Sequence, residues 1–82
     1  MTSNSDLFLR AKQVIPGGVN SPVRSFTAVS STPFIVKKSK GSLITDVDNN
    51  SYIDFIGSWG AMILGHSDNR ILKKLNEVSK NG

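Results

Sequence analysis

Two stretches of this 82-residue chain hold side chains in arrangements that bear chemistry. The first is Pro16-Gly17-Gly18-Val19-Asn20-Ser21-Pro22-Val23-Arg24. Two prolines restrict φ and two glycines open conformations closed to other residues, so the backbone path is defined and presents Asn20, Ser21 and Arg24 as polar groups. Arginine suits a carboxylate, because its planar fork donates two parallel hydrogen bonds. The residues alone leave two readings of Arg24: it meets a ligand carboxylate, or it pairs with a neighbouring acid at the surface. The second stretch is Gly57-Ser58-Trp59-Gly60-Ala61-Met62-Ile63-Leu64-Gly65-His66. Glycines spaced among apolar residues suit backbone that something else approaches closely. Trp59 is there either a core residue or the wall of a ligand site.

Elsewhere reactive groups are sparse. His66 is the single histidine and builds no metal site alone. With Asp68 the only carboxylate close to it in sequence, a structural hydrogen-bonding role at a helix entrance is expected. Asp46, Asp48 and Asp54 resemble a calcium cluster only superficially: the glycine at the sixth position and the terminal glutamate of an EF-hand loop are missing, so turn and strand-surface roles are expected. Lys37, Lys38 and Lys40 have no aromatic interleaved with them and read as a solvated turn. The glycine-rich nucleotide loops, the HExxH zinc motif and the GxSxG elbow do not occur. Without cysteine, disulfides, thiolate zinc sites and cysteine nucleophiles are excluded.

The elements that must position these residues can be read from periodicity. Leu7, Phe8, Ala11, Val14 and Ile15 form one helical stripe over 5–15, with Ser5 as N-cap, Asp6 in the first turn and Pro16-Gly17-Gly18 as the stop. Residues 16–32 follow as an extended, ordered loop, whose Val19, Val23, Phe26 and Val29 need burial. A three-stranded antiparallel meander is expected over 33–56: Phe34–Val36, Ser42–Val47 and Ser51–Ile56, with turns at Lys37–Gly41 and Asp48–Asn50. After a Gly-rich loop over 57–66, Ile71, Leu72, Leu75 and Val78 mark a helix over 68–80 that starts at Ser67 or Asp68. The fold class is therefore α+β.

Composition sets the outer limits. About 38% of residues are apolar, an ordinary globular fraction. The longest apolar runs, Phe34–Val36 and Ala61–Leu64, are far short of the roughly 20 residues of a membrane span. Met1–Asp6 lacks the basic-then-apolar pattern of a secretory signal. Ten Lys+Arg against six Asp+Glu give +4, which permits an acidic partner without demanding one. A chain this short buries only about 60–65% of its unfolded surface, and six aromatics must supply much of its core. With no staple, a missing partner surface is expected.

Leu7-Phe8-x-Arg10-Ala11-Lys12-x-Val14-Ile15 running into Pro16–Arg24 resembles the N-terminus of the glutamate-1-semialdehyde 2,1-aminomutase family, within the class III aminotransferases. Asp46-Val47-Asp48-x-Asn50-x-Tyr52-Ile53-Asp54 and Gly57–His66 resemble the same family in order and spacing. The likeness runs from about Leu7 to the end. Gly17–Arg24 and Gly57–Gly60 are the parts that favour the aminomutase. Ala61 and Asn69 stand at frequent proline positions and Ser30-Ser31 at a common glycine pair, departures that reshape turns without touching polar contacts.

The resemblance implies a fold-type I pyridoxal-phosphate enzyme, several times longer, cytoplasmic and homodimeric. Such an enzyme turns glutamate-1-semialdehyde into 5-aminolevulinate for tetrapyrrole synthesis and engages neither nucleic acid nor membrane. On this reading the chain is an N-terminal piece, inactive alone. The Schiff-base lysine, the phosphate-binding loop and the acid for the pyridine nitrogen lie beyond Gly82, so no catalytic, cofactor or metal residue is expected here. Ser21 and Arg24 become substrate contacts, with Arg24 facing the carboxylate, and Trp59 matches the aromatic wall beside the substrate. Asn20 holds the loop. The rival readings are another class III aminotransferase, exchanging amino groups between two substrates, and a small basic binding module without catalysis.

Overall fold

A computed structural model describes residues 3–26 and 29–82 of the chain; Thr27 and Ala28, within the expected loop, lie outside them. The architecture is α+β, as expected. Helix α1 (Asn4–Val14) leads into 3-10 turns at Pro16–Gly18 and Pro22–Ser25. Strands β1 (Val36–Lys40), β2 (Leu43–Asp46) and β3 (Ser51–Ile53) follow, then a single turn α2 (Gly57–Gly60) and helix α3 (Asn69–Ser79). The chain divides into two compact units, one built on residues up to Lys37 together with Asp46–Asn50, the other on Lys38–Thr45 with Ser51–Gly82.

In the first unit α1 is capped two residues earlier than expected. The Ser3 hydroxyl, not Ser5, accepts the Asp6 N–H at 3.1 Å and donates to the Asp6 carboxylate at 2.8 Å. The extended backbone of Ser3 aims its hydroxyl at the amide three residues on, which is the geometry a cap requires. The same hydroxyl holds the Asp6 carboxyl below its usual range. The helix stops because the residue before a proline is pushed out of the α region, and Ile15 is extended at φ −128°. Gly18 then lies against α1: a Cβ there would sit 2.8 Å from Phe8 Cε1 and 2.9 Å from Lys12 Cγ.

Asn4 ties this helix to a distant turn. Its side-chain amide donates to Asp46 at 3.0 Å and to Asp48 at 2.9 Å, and its carbonyl oxygen accepts the Ile35 N–H at 2.6 Å. Asp46 is fully buried. One of its carboxylate oxygens takes the backbone N–H groups of Asp48 and Asn50, each at 2.9 Å, and the other takes the amides of Asn4 and Asn50. The turn role expected of Asp46 is thus found, but on the inside rather than at the strand surface.

The sheet order is β1-β2-β3, and β2 and β3 pair antiparallel with Leu43 opposite Ile53 and Thr45 opposite Ser51. The first strand is displaced from its expected place. Lys37, Lys38 and Lys40 belong to β1, and Phe34 precedes it. An edge strand needs only backbone pairing on one side, and lysines are favoured there because they block further pairing. In the second unit α3 starts at Asp68, whose side chain accepts the Arg70 N–H at 3.0 Å.

Apolar burial is slight. Among the described residues only Gly18, Pro33 and Asp46 are buried. Val23 and Val29, expected to need burial, are exposed, and Phe26 is half-buried with its ring 5.9 Å from Phe34 in an edge-on contact. The stripe of α3 (Ile71, Leu72, Leu75 and Val78) is exposed as well. No helix among the described residues is long and apolar enough to cross a membrane.

Candidate functional site

In the first unit, Ser21 and Arg24 are joined by a 3-10 turn. Pro22 starts the turn with a preset φ. The Arg24 N–H donates to the Ser21 carbonyl at 3.0 Å, and Phe26 closes the turn in the left-handed region at φ 60°. The two residues are therefore neighbours in space, Ser21 half-buried and Arg24 exposed. Asn20, just ahead of them, is exposed.

Trp59 belongs to the second unit, on the unusual backbone of α2. Gly57, Ser58, Trp59 and Gly60 all have positive φ, at 55°, 52°, 61° and 92°. With ψ of 44° and 40°, Ser58 and Trp59 complete one left-handed helical turn. Each non-glycine residue held there costs about 1–2 kcal/mol, so the turn persists only where its surroundings enforce it. Trp59 is 78% exposed, which removes the core reading within this chain.

Asp54 binds the backbone that leads into the turn. It follows β3, and its N–H donates to the Ser42 carbonyl at 2.8 Å. One carboxylate oxygen accepts the N–H groups of Ile56 at 2.8 Å and Gly57 at 3.0 Å, and the other meets His66 Nε2 at 2.6 Å. The Gly57 N–H, the His66 ring and the Ile56 N–H together hold this carboxyl below its usual range. His66 is itself pinned, its backbone exchanging two hydrogen bonds with Gly41 at 2.8 and 2.9 Å. Gly65 permits that approach, because a Cβ on it would fall 2.8 Å from the Gly41 carbonyl oxygen.

His66 is therefore a structural hydrogen-bonding residue, as its isolation suggested, but its acid is Asp54 rather than Asp68. Asp68 caps α3 and pairs with Arg70 at 2.9 and 3.1 Å, and that hydrogen-bonded guanidinium lowers its carboxyl to about 2. The Asp54 bracket was missed in the sequence. Its local signal is an aspartate just ahead of a glycine-rich segment, since an aspartate side chain accepts the backbone amide two residues on, here that of Ile56.

A lysine that carries a cofactor carbonyl works from a desolvated or electrostatically tuned site. Every lysine of this chain is exposed, and the Lys40 ammonium is spent on the Ser67 carbonyl and the Asn69 side chain. The residues present do not fit that role. The two segments carry a guanidinium and a hydroxyl on one defined turn of the first unit, and an indole on a turn of the second.

A family model described as aminotransferase class-III matches residues 26–82. Over its whole length the chain is 55% identical to a glutamate-1-semialdehyde 2,1-aminomutase of Alkaliphilus oremlandii, of which it covers 19%. Among solved structures, an omega-transaminase from Sphaerobacter thermophilus superposes with a TM-score of 0.82 at 30% identity, over 99% of this chain and 18% of that one. A transaminase solved with PLP bound superposes with a TM-score of 0.78 at 31% identity, over 95% and 18%. The chain thus spans about a fifth of the length of the curated relatives it matches.

Proposed function

The chain belongs to the class-III aminotransferase family, and from that footing we propose that it is part of a glutamate-1-semialdehyde 2,1-aminomutase, which converts glutamate-1-semialdehyde to 5-aminolevulinate in tetrapyrrole synthesis. The observation that carries this reading is the 55% identity to a glutamate-1-semialdehyde 2,1-aminomutase along the full chain. The whole enzyme is a cytoplasmic homodimer. Its pyridoxal phosphate, which supplies an electron sink when bound, is held by parts of the protein other than these residues.

Within that enzyme, Arg24 receives the substrate carboxylate, Ser21 adds a hydroxyl beside it, and Trp59 walls the substrate with an apolar face. The exposure of Arg24 on a defined 3-10 turn next to Ser21 supports this, since a guanidinium binds a carboxylate through two parallel hydrogen bonds. So does the exposed indole on a backbone strained into place.

The test uses the full-length protein. Isomerisation of the semialdehyde with no added amino donor is expected, and a strict need for a second amino substrate overturns the aminomutase reading in favour of a two-substrate aminotransferase. Arg24→Ala is expected to raise KM for the semialdehyde by about ten- to a hundredfold, the worth of a charge-assisted hydrogen bond, while the cofactor absorbance stays as it was. An unchanged KM removes Arg24 from the site.

A further inference from the structure

The Asp54 carboxylate holds three parts of the second unit at one point. Through its backbone it sits at the end of the β2–β3 hairpin, donating to Ser42. Through one oxygen it takes the first two amides leading into the left-handed turn, and through the other it takes His66 at the far end of the Gly-rich segment. The turn's internal bonds leave from the same place: the Gly60 N–H reaches the Ile56 carbonyl at 3.2 Å, and the Met62 N–H reaches the Gly57 carbonyl at 3.0 Å. Residues 56 and 57 are therefore held by their N–H groups on one side and their carbonyls on the other. Trp59 comes two residues later, on the left-handed backbone that these bonds flank.

We infer that Asp54, buttressed by His66, is a positioning residue for Trp59, and that this pair sets how tightly the site closes on a small carboxylate substrate. Neither side chain touches the substrate. Asp54 acts through the two amides it binds, and His66 acts by fixing the second carboxylate oxygen. The inference rests on the reading of Trp59 as the substrate wall, but its mechanical half stands apart from that reading and can be measured apart from it.

The chemistry predicts which replacements succeed. Asparagine at position 54 keeps one oxygen for the Ile56 and Gly57 amides, and alanine keeps none. Glutamine at position 66 carries an N–H donor that reaches Asp54 much as the distal ring nitrogen does, and leucine carries none.

The experiment compares Asp54→Ala, Asp54→Asn, His66→Leu, His66→Gln and Trp59→Leu in the full-length holoenzyme by KM, kcat, cofactor absorbance and hydrogen exchange over residues 55–66. Asp54→Ala and His66→Leu are expected to speed exchange in that segment and to raise KM about tenfold or more, with cofactor absorbance unchanged, as misplacement of a site wall does. Asp54→Asn and His66→Gln recover most of both. Adding Trp59→Leu to His66→Leu brings no further rise in KM, because the two act through one group. Unchanged exchange in His66→Leu and Asp54→Ala overturns the positioning role, and so do additive penalties in the double variant. If Asp54→Ala does not fold, the His66→Leu and His66→Gln pair decides alone. Faster exchange combined with an unchanged KM in Trp59→Leu overturns instead the substrate-wall reading, and with it the specificity half of the inference.

Discussion

Residues 1–82 produced on their own are expected to lack a cooperative unfolding transition. The structure exposes 6583 Å² of accessible surface. A compact monomer of 8.9 kDa exposes about 4,800 Å², leaving an excess of about 1,800 Å². With a little over half of that apolar, about 1,000 Å² of hydrocarbon surface stays in water, roughly 25 kcal/mol of burial at about 25 cal/mol per Å². The whole stability of a small domain is only about 5–15 kcal/mol, so a shortfall of this size decides the outcome. Its location is specific: Ile71, Leu72, Leu75 and Val78 on α3, and Ile63 and Leu64 before it, are each 43% exposed or more. The assay is urea titration of the isolated chain, followed by far-ultraviolet circular dichroism and by the fluorescence of Trp59, its single tryptophan. Gradual, non-coincident changes are expected. A sigmoidal transition shared by both probes, with a slope near the roughly 1 kcal/mol per M of small domains in urea, refutes the reasoning.

Two further outcomes follow from single carboxylates, both read in the full-length protein. Asp46→Ala takes the shared acceptor from the amides of Asn4, Asp48 and Asn50 and is expected to cost about 1.5–3 kcal/mol in chemical denaturation, the worth of hydrogen bonds to a charged group. Asp46→Asn does not rescue it fully, since its amide faces that of Asn4, whose own oxygen is committed to Ile35; an alanine variant within 1 kcal/mol of the parent, on the usual scale of neutral surface changes, would contradict this. For Asp68, a folded pKa of about 2 lies below the unfolded value near 3.9. Its stabilising contribution is therefore complete above about pH 4 and lost as the pH falls toward 2, and added salt shrinks it because Arg70 is largely exposed. Carboxyl chemical shifts against pH measure this, and a midpoint at the ordinary aspartate value counts against the pairing.

What was legible in the sequence was local. The apolar stripe of α3, its Asp68 cap, the proline that ends α1 and the Asp-Asn turn between β2 and β3 are all set by residues within a few positions of one another. The defined backbone around Ser21 and Arg24 follows in the same way from its prolines and glycines, and the two residues do meet in one turn. The cap of α1 went astray because Ser3 and Ser5 are equally good acceptors by type, and only the extended backbone at Ser3 picks one.

The rest was decided by groups far apart in the chain. Composition marks Lys37–Lys40 as a turn, yet pairing with β2 makes it an edge strand, because backbone hydrogen bonds take no account of side-chain polarity. Asp46 looks like a surface acid until Asn4, 42 residues earlier, covers it. His66 has Asp68 for a sequence neighbour but bonds Asp54, because the Gly41–His66 bridge carries it back to the hairpin. The left-handed turn that displays Trp59 could not be read from Gly-Ser-Trp-Gly alone, since Ser58 and Trp59 disfavour that backbone and adopt it only under outside restraint. Short-range preference selects among conformations worth a kilocalorie or so; where a buried carboxylate or a strained turn requires several contacts at once, only the assembled tertiary structure supplies them.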